Sequence, residues 1–329
     1  MRLTKELYLN LTFGRLVSVD YTRLDEVVLL VKKRKPEEYK PEEWRNTIYW
    51  PDDEEGQSII SQFFTLGNSI NFRYWWIGED NKFEYCQGPK GGSNQRGAFY
   101  MWRSLRLAQK RGIPLLDAKW LSRISMNEIK EVFQDDNNQN ALPILRERQK
   151  NWRDLGIKLL EYWDGQFFNL IKASKGSLAD FVRYSREFRA FDDPLCKMTM
   201  VNAILHSGRG VAHFNESILP GIDYQLMKQQ LRLGILLPKE HLKKKMLSEK
   251  LCDRLLSKRE ARELRNACLA SFMYTMEKTS VSGEILDNIW WLNRRVCEDR
   301  NPSCEQCLFK AVCNRNVAYG IPLELTRYY

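Results

Sequence analysis

Four cysteines are grouped near the end of the 329-residue chain, at Cys297, Cys304, Cys307 and Cys313, with six, two and five residues between them. The central CxxC pair lets two sulfurs reach one metal centre, and the flanking loops are long enough to bring the other two around it. Thiolates are soft ligands that suit both an iron–sulfur cluster and zinc. The spacing therefore predicts a metal centre, either an iron–sulfur cluster or zinc, with unligated thiols as a third alternative.

Composition limits the class of protein. The formal net charge is +10 and the pI is near 9.1, which permits contact with nucleic acid or another phosphorylated ligand. No apolar run approaches about eighteen residues and no leader-like segment opens the sequence, so we expect neither a membrane span nor a secretory signal. The four cysteines outside the group are scattered among apolar neighbours. This usage is typical of a reducing, cytoplasmic compartment.

Helical periodicity dominates the chain after the first ninety residues. Helical patterns run through Gly97–Arg111, through 116–134, and through Ile144–Lys175, where Gly156 and Asp164–Gly165 are expected to interrupt them. Strand patterns are few and short, and they are confined to the first ninety residues. The sequence thus predicts a mainly α fold with a few short N-terminal strands.

We divide the chain into three predicted segments. Residues 1–95 contain the short strands and an aromatic cluster, residues 96–290 form a helical domain, and residues 291–329 form the metal loop and a tail.

Two further groups of residues could bind a planar base. Phe72, Trp75 and Trp76 lie in a stretch that is unusually rich in aromatic residues, and it either packs in the core or forms a stacking wall. Asp287 sits in an apolar, tryptophan-rich helical pattern. Its carboxylate either accepts hydrogen bonds from a base or caps a neighbouring helix.

The cysteine spacing resembles the iron–sulfur loop of endonuclease III and the adenine DNA glycosylases, which implies a [4Fe–4S] cluster. Leu219-Pro220-Gly221-Ile222 resembles the hairpin of helix-hairpin-helix proteins. The resemblance then fails at two points. Asp223 stands where that motif has a glycine, and no aspartate lies between Tyr224 and Cys252, where those enzymes place their catalytic aspartate.

A second resemblance covers more of the chain, over residues 66–237 and into the later segments. These residues resemble the queuosine salvage family of queuosine 5′-phosphate N-glycosylases, whose fold is similar to that of DNA glycosylases. The matching stretches share short motifs in the family's order: Asn71–Trp75, Gly97–Leu107 with Gly112-Ile113-Pro114, Leu155–Leu160, Phe167–Leu170, Lys197 with its helix, Asp223-Tyr224, Leu231–Leu236, Leu286-Asp287 with Trp291, and Thr326–Tyr329.

The family resemblance implies roles for individual residues. Asp223 matches the catalytic aspartate, which opposes the positive charge of an oxocarbenium-like sugar, attacks it directly or activates water; its alternative is a helix N-cap. Lys197 matches a lysine that binds the 5′-phosphate or tunes Asp223; its alternative is a solvated lysine on an amphipathic helix. The resemblance implies that Tyr224 lies at the substrate, together with Asp287 and the aromatic cluster.

The sequence therefore predicts a helix-hairpin-helix, DNA-glycosylase-like fold with a four-cysteine loop that carries a [4Fe–4S] cluster, or alternatively zinc. The expected activity is release of queuine or a related 7-deazaguanine from a nucleotide or nucleoside, with ribose and deoxyribose both open. One alternative is an iron–sulfur DNA glycosylase that flips a modified base out of DNA. Another is a nucleic-acid-binding module without catalysis.

Overall fold

The computed structural model of the chain describes residues 11–33, 44–88, 95–299 and 301–329. These residues form thirteen α-helices, so the prediction of a mainly α fold is confirmed. In chain order the helices are α1 Tyr21–Lys32, α2 Gln57–Asn68, α3 Ala98–Lys110, α4 Ala118–Arg123, α5 Met126–Val132, α6 Leu145–Tyr162, α7 Phe167–Ser174, α8 Leu178–Ser185, α9 Lys197–Gly208, α10 Tyr224–Leu233, α11 Glu240–Met246, α12 Lys258–Thr279 and α13 Gly283–Asn293.

Four short strands form two antiparallel pairs within the described residues. Strand β1 (Val17–Val19) pairs with β4 (Leu236–Pro238), and β2 (Trp75–Ile77) pairs with β3 (Phe83–Tyr85). The expectation that strands are confined to the first ninety residues is wrong, because β4 lies far beyond them. A three-residue strand that ends in proline has no alternating pattern to detect, and only pairing with a distant strand creates it.

The chain divides into two compact units, each built from separate stretches of sequence. We name the first the cysteine unit, residues 1–42 and 217–325, and the second the aromatic unit, residues 43–216 and 326–329. The three segments predicted from the sequence remain a prediction.

In the aromatic unit the longest helix, α6, packs against α4, and α2 packs against α7 and α9. Gly156 does not interrupt α6, contrary to the expectation from sequence. A Cβ at this position would lie 2.4 Å from the Ser122 backbone nitrogen and 2.6 Å from the Ala118 carbonyl oxygen of α4. The glycine therefore serves close helix packing. The other expected break, at Asp164–Gly165, does separate α6 from α7.

In the cysteine unit the 22-residue helix α12 contacts α1, α10, α13 and both strands of the β1–β4 pair. A capping box defines its start: the Ser257 hydroxyl accepts from the Glu260 backbone N–H, and the Glu260 carboxylate accepts from the Ser257 N–H. This central helix and α13 form the packing surface for α10, which begins immediately after Asp223.

None of the helices in the described ranges combines the length and the hydropathy needed to span a membrane. All eight cysteines fall within these ranges, and each is a free thiol.

Candidate functional site

The four grouped cysteines line one cavity in the cysteine unit. Cys297, Cys304, Cys307 and Cys313 share its wall with apolar residues and with three cations. The remaining lining residues are Arg232, Val296, Pro302, Lys310, Arg315 and Val317. Soft sulfur donors and a cationic wall suit an anionic thiolate centre.

Three of the four sulfurs accept hydrogen bonds. The Arg232 guanidinium lies 3.4 Å from Cys297 Sγ, the Asn293 amide lies 3.4 Å from Cys307 Sγ, and the Arg315 backbone N–H lies 3.3 Å from Cys313 Sγ. Burial raises the pKa of the Cys307 and Cys313 thiols, whereas these hydrogen bonds lower it. The loop therefore contains donors that stabilise thiolates, as a ligated centre requires.

Zinc and an iron–sulfur cluster differ in how far apart they hold their four thiolates. Among the described residues, no three His, Cys, Asp or Glu side chains are arranged to hold a metal ion. Tetrahedral zinc would bring the sulfurs to roughly 3.8 Å from one another, given its bond length and geometry. A cluster keeps its thiolates farther apart, because its own iron and sulfide atoms lie between them. The donor set of four thiols fits both centres.

Asp223 is the N-cap of α10. Its Oδ1 accepts hydrogen bonds from the backbone N–H groups of Gln225, at 2.8 Å, and Leu226, at 3.0 Å. The carboxylate is partly exposed, and its Oδ2 makes no hydrogen bond within the described residues. The N-cap alternative is thus present in the structure, and it is compatible with chemistry because one oxygen is held while the other faces outward.

Cys268 and Arg265 of α12 lie near the residues that start α10. Burial raises the pKa of the Cys268 thiol well above its ordinary value, the Asp223 carboxylate raises it further, and the Arg265 guanidinium lowers it. Arg265 is buried and donates to the Ile222 carbonyl at 3.4 Å. The buried Cys268 thiol of α12 is therefore close enough to Asp223 to interact with its charge.

Asp287 and Tyr224 lie close to residues 218–223, the loop before α10, which we call the hairpin because its stretch Leu219–Ile222 resembles one. Asp287, buried on α13, accepts from the Gly221 N–H at 2.8 Å. A Cβ on Gly283 would meet the Ile218 carbonyl at 2.2 Å, so the hairpin packs directly on the start of α13. Tyr224 is the buried first residue of α10. The structure thus brings Asp287, Asp223 and Tyr224 together around one turn of backbone.

The predicted aromatic wall lies in the aromatic unit. Phe72 and Trp75 are fully buried, and Trp76 is half-buried. Trp75 stacks on Phe83 of β3, with ring centroids 6.1 Å apart. Because neighbours in a strand point to opposite faces, Trp75 and Trp76 cannot stack together on one side of a base.

Arg148 is a buried residue that the sequence interpretation missed. Its guanidinium donates to the carbonyls of Ile70, of Phe72 at 2.8 Å and of Arg73 at 3.3 Å, and it lies 4.4 Å from the Phe72 ring centroid. It therefore fixes the backbone of the aromatic stretch. A signal was present in the sequence: Arg148 falls within the apolar stripe of α6, the face formed by Leu145, Trp152, Leu155 and Leu159.

Lys197 begins α9 and is buried, so the alternative of a solvated lysine is wrong. Its ammonium donates to the Asn71 carbonyl at 2.9 Å, and its backbone N–H donates to Asp193 Oδ2 at 2.8 Å. Because Asn71 precedes Phe72, the structure places Lys197 beside the aromatic stretch. Sequence periodicity could not reveal this, because the contact joins residues that are more than a hundred positions apart.

The aromatic unit is thus mainly helical and holds a buried lysine beside an aromatic segment. These features define the class of protein that we compare with known families. Residues 50–201, all within the aromatic unit, match the family described as the queuosine salvage protein. The resemblance stated from the sequence is therefore confirmed over this range. Lys197 and the aromatic cluster lie inside the match, whereas Asp223, Asp287 and the cysteine loop lie beyond it.

Curated relatives agree with the family match. A queuosine 5′-phosphate N-glycosylase/hydrolase of Sphaerobacter thermophilus is 27% identical over 173 residues, which cover 51% of this chain and 49% of the relative. The protein of that name from Mus musculus is 26% identical over 198 residues, covering 55% and 57%. That from Bos taurus is 24% identical over 149 residues, covering 45% and 42%. The chain spans about half the length of the curated relatives it matches.

Proposed function

We propose that this protein is an N-glycosyl hydrolase that releases queuine, or a related 7-deazaguanine, from queuosine 5′-phosphate. The observation that carries the proposal is the family match over residues 50–201, supported by relatives that bear this enzyme name. The ligand is thus a small 7-deazaguanine nucleotide. A reducing, cytoplasmic setting belongs to the proposal and is supported by eight free thiols.

Asp223 is the proposed catalytic carboxylate. Cleavage of an N-glycosidic bond builds positive charge on the sugar, and a fixed carboxylate stabilises that charge without having to reorganise. Oδ1 is held by two backbone N–H groups, which leaves Oδ2 to face the sugar or a water molecule. Asp287 holds the hairpin that precedes Asp223, through Gly221, and so fixes the direction of the carboxylate.

Lys197 is the proposed phosphate ligand, and the aromatic stretch is the proposed base-binding surface. A buried ammonium that already donates to a carbonyl beside Phe72 can place its charge near a bound nucleotide. Trp76, the half-buried member of the stretch, supplies the proposed flat face for stacking, whereas Phe72 and Trp75 are buried and pack in the core. Tyr224, buried next to Asp223, is assigned to the substrate by the family resemblance alone.

The four cysteines are proposed to hold a [4Fe–4S] cluster, with zinc as the alternative. The support is the shared cavity and the donors to three of its sulfurs. A bound cluster would supply a structural cross-link for the loop. Iron, sulfide and zinc analysis of anaerobically purified protein decides between the two, and a zinc-only result would refute the cluster.

A second candidate is removal of a modified base from DNA. Helix α11 favours it, since Lys243 and Lys244 are exposed on one short helix of a chain with net charge +10. Incubation with queuosine 5′-phosphate, queuosine, and duplex DNA containing a 7-deazaguanine separates the candidates when released base is measured by mass spectrometry. We expect release from queuosine 5′-phosphate. Release from DNA alone would replace our proposal with the second candidate, and tight DNA binding without release would favour a non-catalytic module.

A further inference from the structure

Two cations of α10 face the cysteine loop from inside the protein. Lys228 and Arg232 are four residues apart, hence on one face of the helix, and their exposed fractions are 1% and 2%. Two buried positive charges on one helix face are costly unless negative charge compensates them. Lys228 Nζ lies 3.2 Å from Asp299 Oδ1. Arg232 has no carboxylate partner within the described residues.

Arg232 joins the two ends of the loop. Its guanidinium donates to five carbonyl oxygens, on Cys297, Glu298, Asp299, Val317 and Tyr319. It also donates to Cys297 Sγ at 3.4 Å, and its own carbonyl accepts from the Asn316 N–H. One side chain therefore ties the stretch that holds the first cysteine to the stretch that follows the last.

Neutral carbonyls orient the Arg232 guanidinium but do not neutralise it. The nearest group able to carry negative charge is the Cys297 sulfur. Four thiolates around a metal centre keep a net negative charge, because one divalent ion or one cluster does not cancel all of it. The buried cations of α10 then have their counter-charge, and the centre has its donors.

We propose that Arg232 and Lys228 are positioning residues of the metal centre, which compensate its charge and lock the loaded loop onto the helix that Asp223 caps. A second link supports the coupling between loop and helix. The Asn293 amide donates both to Gln229 Oε1 of α10, at 2.9 Å, and to Cys307 Sγ. This inference rests on the proposed metal centre and does not depend on the proposed substrate.

Loss of metal to a chelator tests Arg232. The variant Arg232→Gln is compared with Lys310→Gln, which removes a cation from the exposed rim of the same cavity. Changing an outer-shell partner typically weakens metal binding by about 10–100-fold. We expect that loss for Arg232→Gln, little change for Lys310→Gln, and an intermediate result for Arg232→Lys, which keeps the charge. Equal metal retention in the two glutamine variants would overturn the inference.

The pair of Lys228 and Asp299 gives a test that does not depend on Arg232 variants folding. The double variant Lys228→Met/Asp299→Asn removes both charges and leaves neither one buried alone. If the pair is only a structural ion pair, metal retention stays at the wild-type level, and this result contradicts our inference. We expect the double variant to lose metal about 10-fold faster than Asp299→Asn alone, since of these two variants only the double one lacks the buried Lys228 cation.

Hydrogen exchange measures the coupling to α10. The amides of Gln225 and Leu226 are protected by Asp223. In metal-free Cys304→Ser protein we expect these amides to exchange faster than in the loaded protein, and unchanged protection would contradict the coupling. Protein that releases queuine but binds no metal in any preparation would overturn this inference and leave the proposed function intact. If the exchange of these amides depends on metal but the protein releases no base, this inference stands and the proposed function is contradicted.

Discussion

Arg148 in the aromatic unit and Arg232 in the cysteine unit are both buried helix residues that bind backbone carbonyls. Their other partners differ. The Arg148 guanidinium lies over the rings of Phe72 and Tyr74, at 4.4 and 5.3 Å from their centroids, whereas Arg232 faces a cysteine sulfur. The aromatic stretch is thus fixed by groups that the chain always presents. Under our proposal, the cysteine loop depends instead on the ionisation and ligation of its thiols.

The family match, residues 50–201, lies within the aromatic unit and includes no residue of the cysteine unit. The shared part contains the lysine and the aromatic stretch proposed to bind the nucleotide. The remainder contains the carboxylate proposed for catalysis and the four-cysteine loop, both beyond the matched range.

The largest effect on stability is expected at Arg148. Arg148→Met leaves the buried carbonyls of the aromatic stretch without donors, which lowers the free energy of unfolding by about 3–5 kcal/mol. Urea denaturation measures the loss. The control is Arg153→Met on the same helix, where the side chain is exposed and donates to one carbonyl. Because no metal is proposed near Arg148, the stability lost in Arg148→Met should be the same with and without a chelator. A loss that depended on chelator would contradict the comparison between the aromatic stretch and the cysteine loop.

His206 makes the stability of the aromatic unit depend on pH. It is fully buried, contacts the Ser61 hydroxyl at 3.1 Å and the Asn202 carbonyl at 2.6 Å, and burial lowers its pKa to about 4. An unfolded chain with an ordinary histidine pKa of about 6.5 takes up the proton first. The contribution of neutral His206 to the free energy of unfolding is therefore complete above about pH 6.5. It is lost as the pH falls toward 4, which lowers the free energy of unfolding by up to about 3 kcal/mol.

The measurement compares wild type with His206→Gln by urea denaturation at pH values from about 4 to 7. The variant has no group that titrates at this position, so its stability should fall less steeply with acid. Parallel curves for the two proteins would mean that His206 does not contribute to the acid sensitivity.

Gly156→Ala tests the close packing of α6 on α4. Alanine is the better helix former by about 1 kcal/mol, so helix propensity alone predicts a stabilised protein. The added methyl group would instead clash with the Ser122 nitrogen and the Ala118 carbonyl, and we expect a net loss of about 1–3 kcal/mol. Thermal denaturation gives the sign. Ile157→Ala, at the exposed neighbouring position, serves as the control and should change little.

Lys197→Gln sharpens the assignment of nucleotide binding to the aromatic unit. If the ammonium binds the 5′-phosphate, kcat/KM should fall about 10-fold or more for queuosine 5′-phosphate, in line with a lost charged hydrogen bond. The same constant for queuosine, which lacks the phosphate, should change far less. Equal losses on the two substrates would assign Lys197 a structural role through Asn71.

Much of the architecture was predictable from sequence because it is local. The periodicity of Gly97–Arg111 gave helix α3, and the turn at Asp164–Gly165 separates α6 from α7. One local signal was missed in the helical pattern over 116–134. The capping box of Ser125 with Glu128 starts a separate helix, α5, within that pattern.

The parts that sequence could not supply are those created by distant contacts. Strand β4 exists only because it pairs with β1, and Gly156 serves a second helix rather than its own. The burial of Lys197 follows from its bond to Asn71. In the candidate site, spacing singled out the cysteines and the family resemblance singled out Asp223, whereas Arg148 and Arg232 gain their partners only in the folded chain.

The central claim is that the Asp223 carboxylate performs the chemistry, and Asp223→Asn tests it most directly. Asparagine caps helices as well as aspartate does, so the variant keeps α10 and loses the charge. The control is Asp20→Asn, which makes the same change at the N-cap of α1. We expect both variants to fold, Asp20→Asn to release queuine from queuosine 5′-phosphate at the wild-type rate, and Asp223→Asn to release none. An undiminished rate in Asp223→Asn would contradict the account.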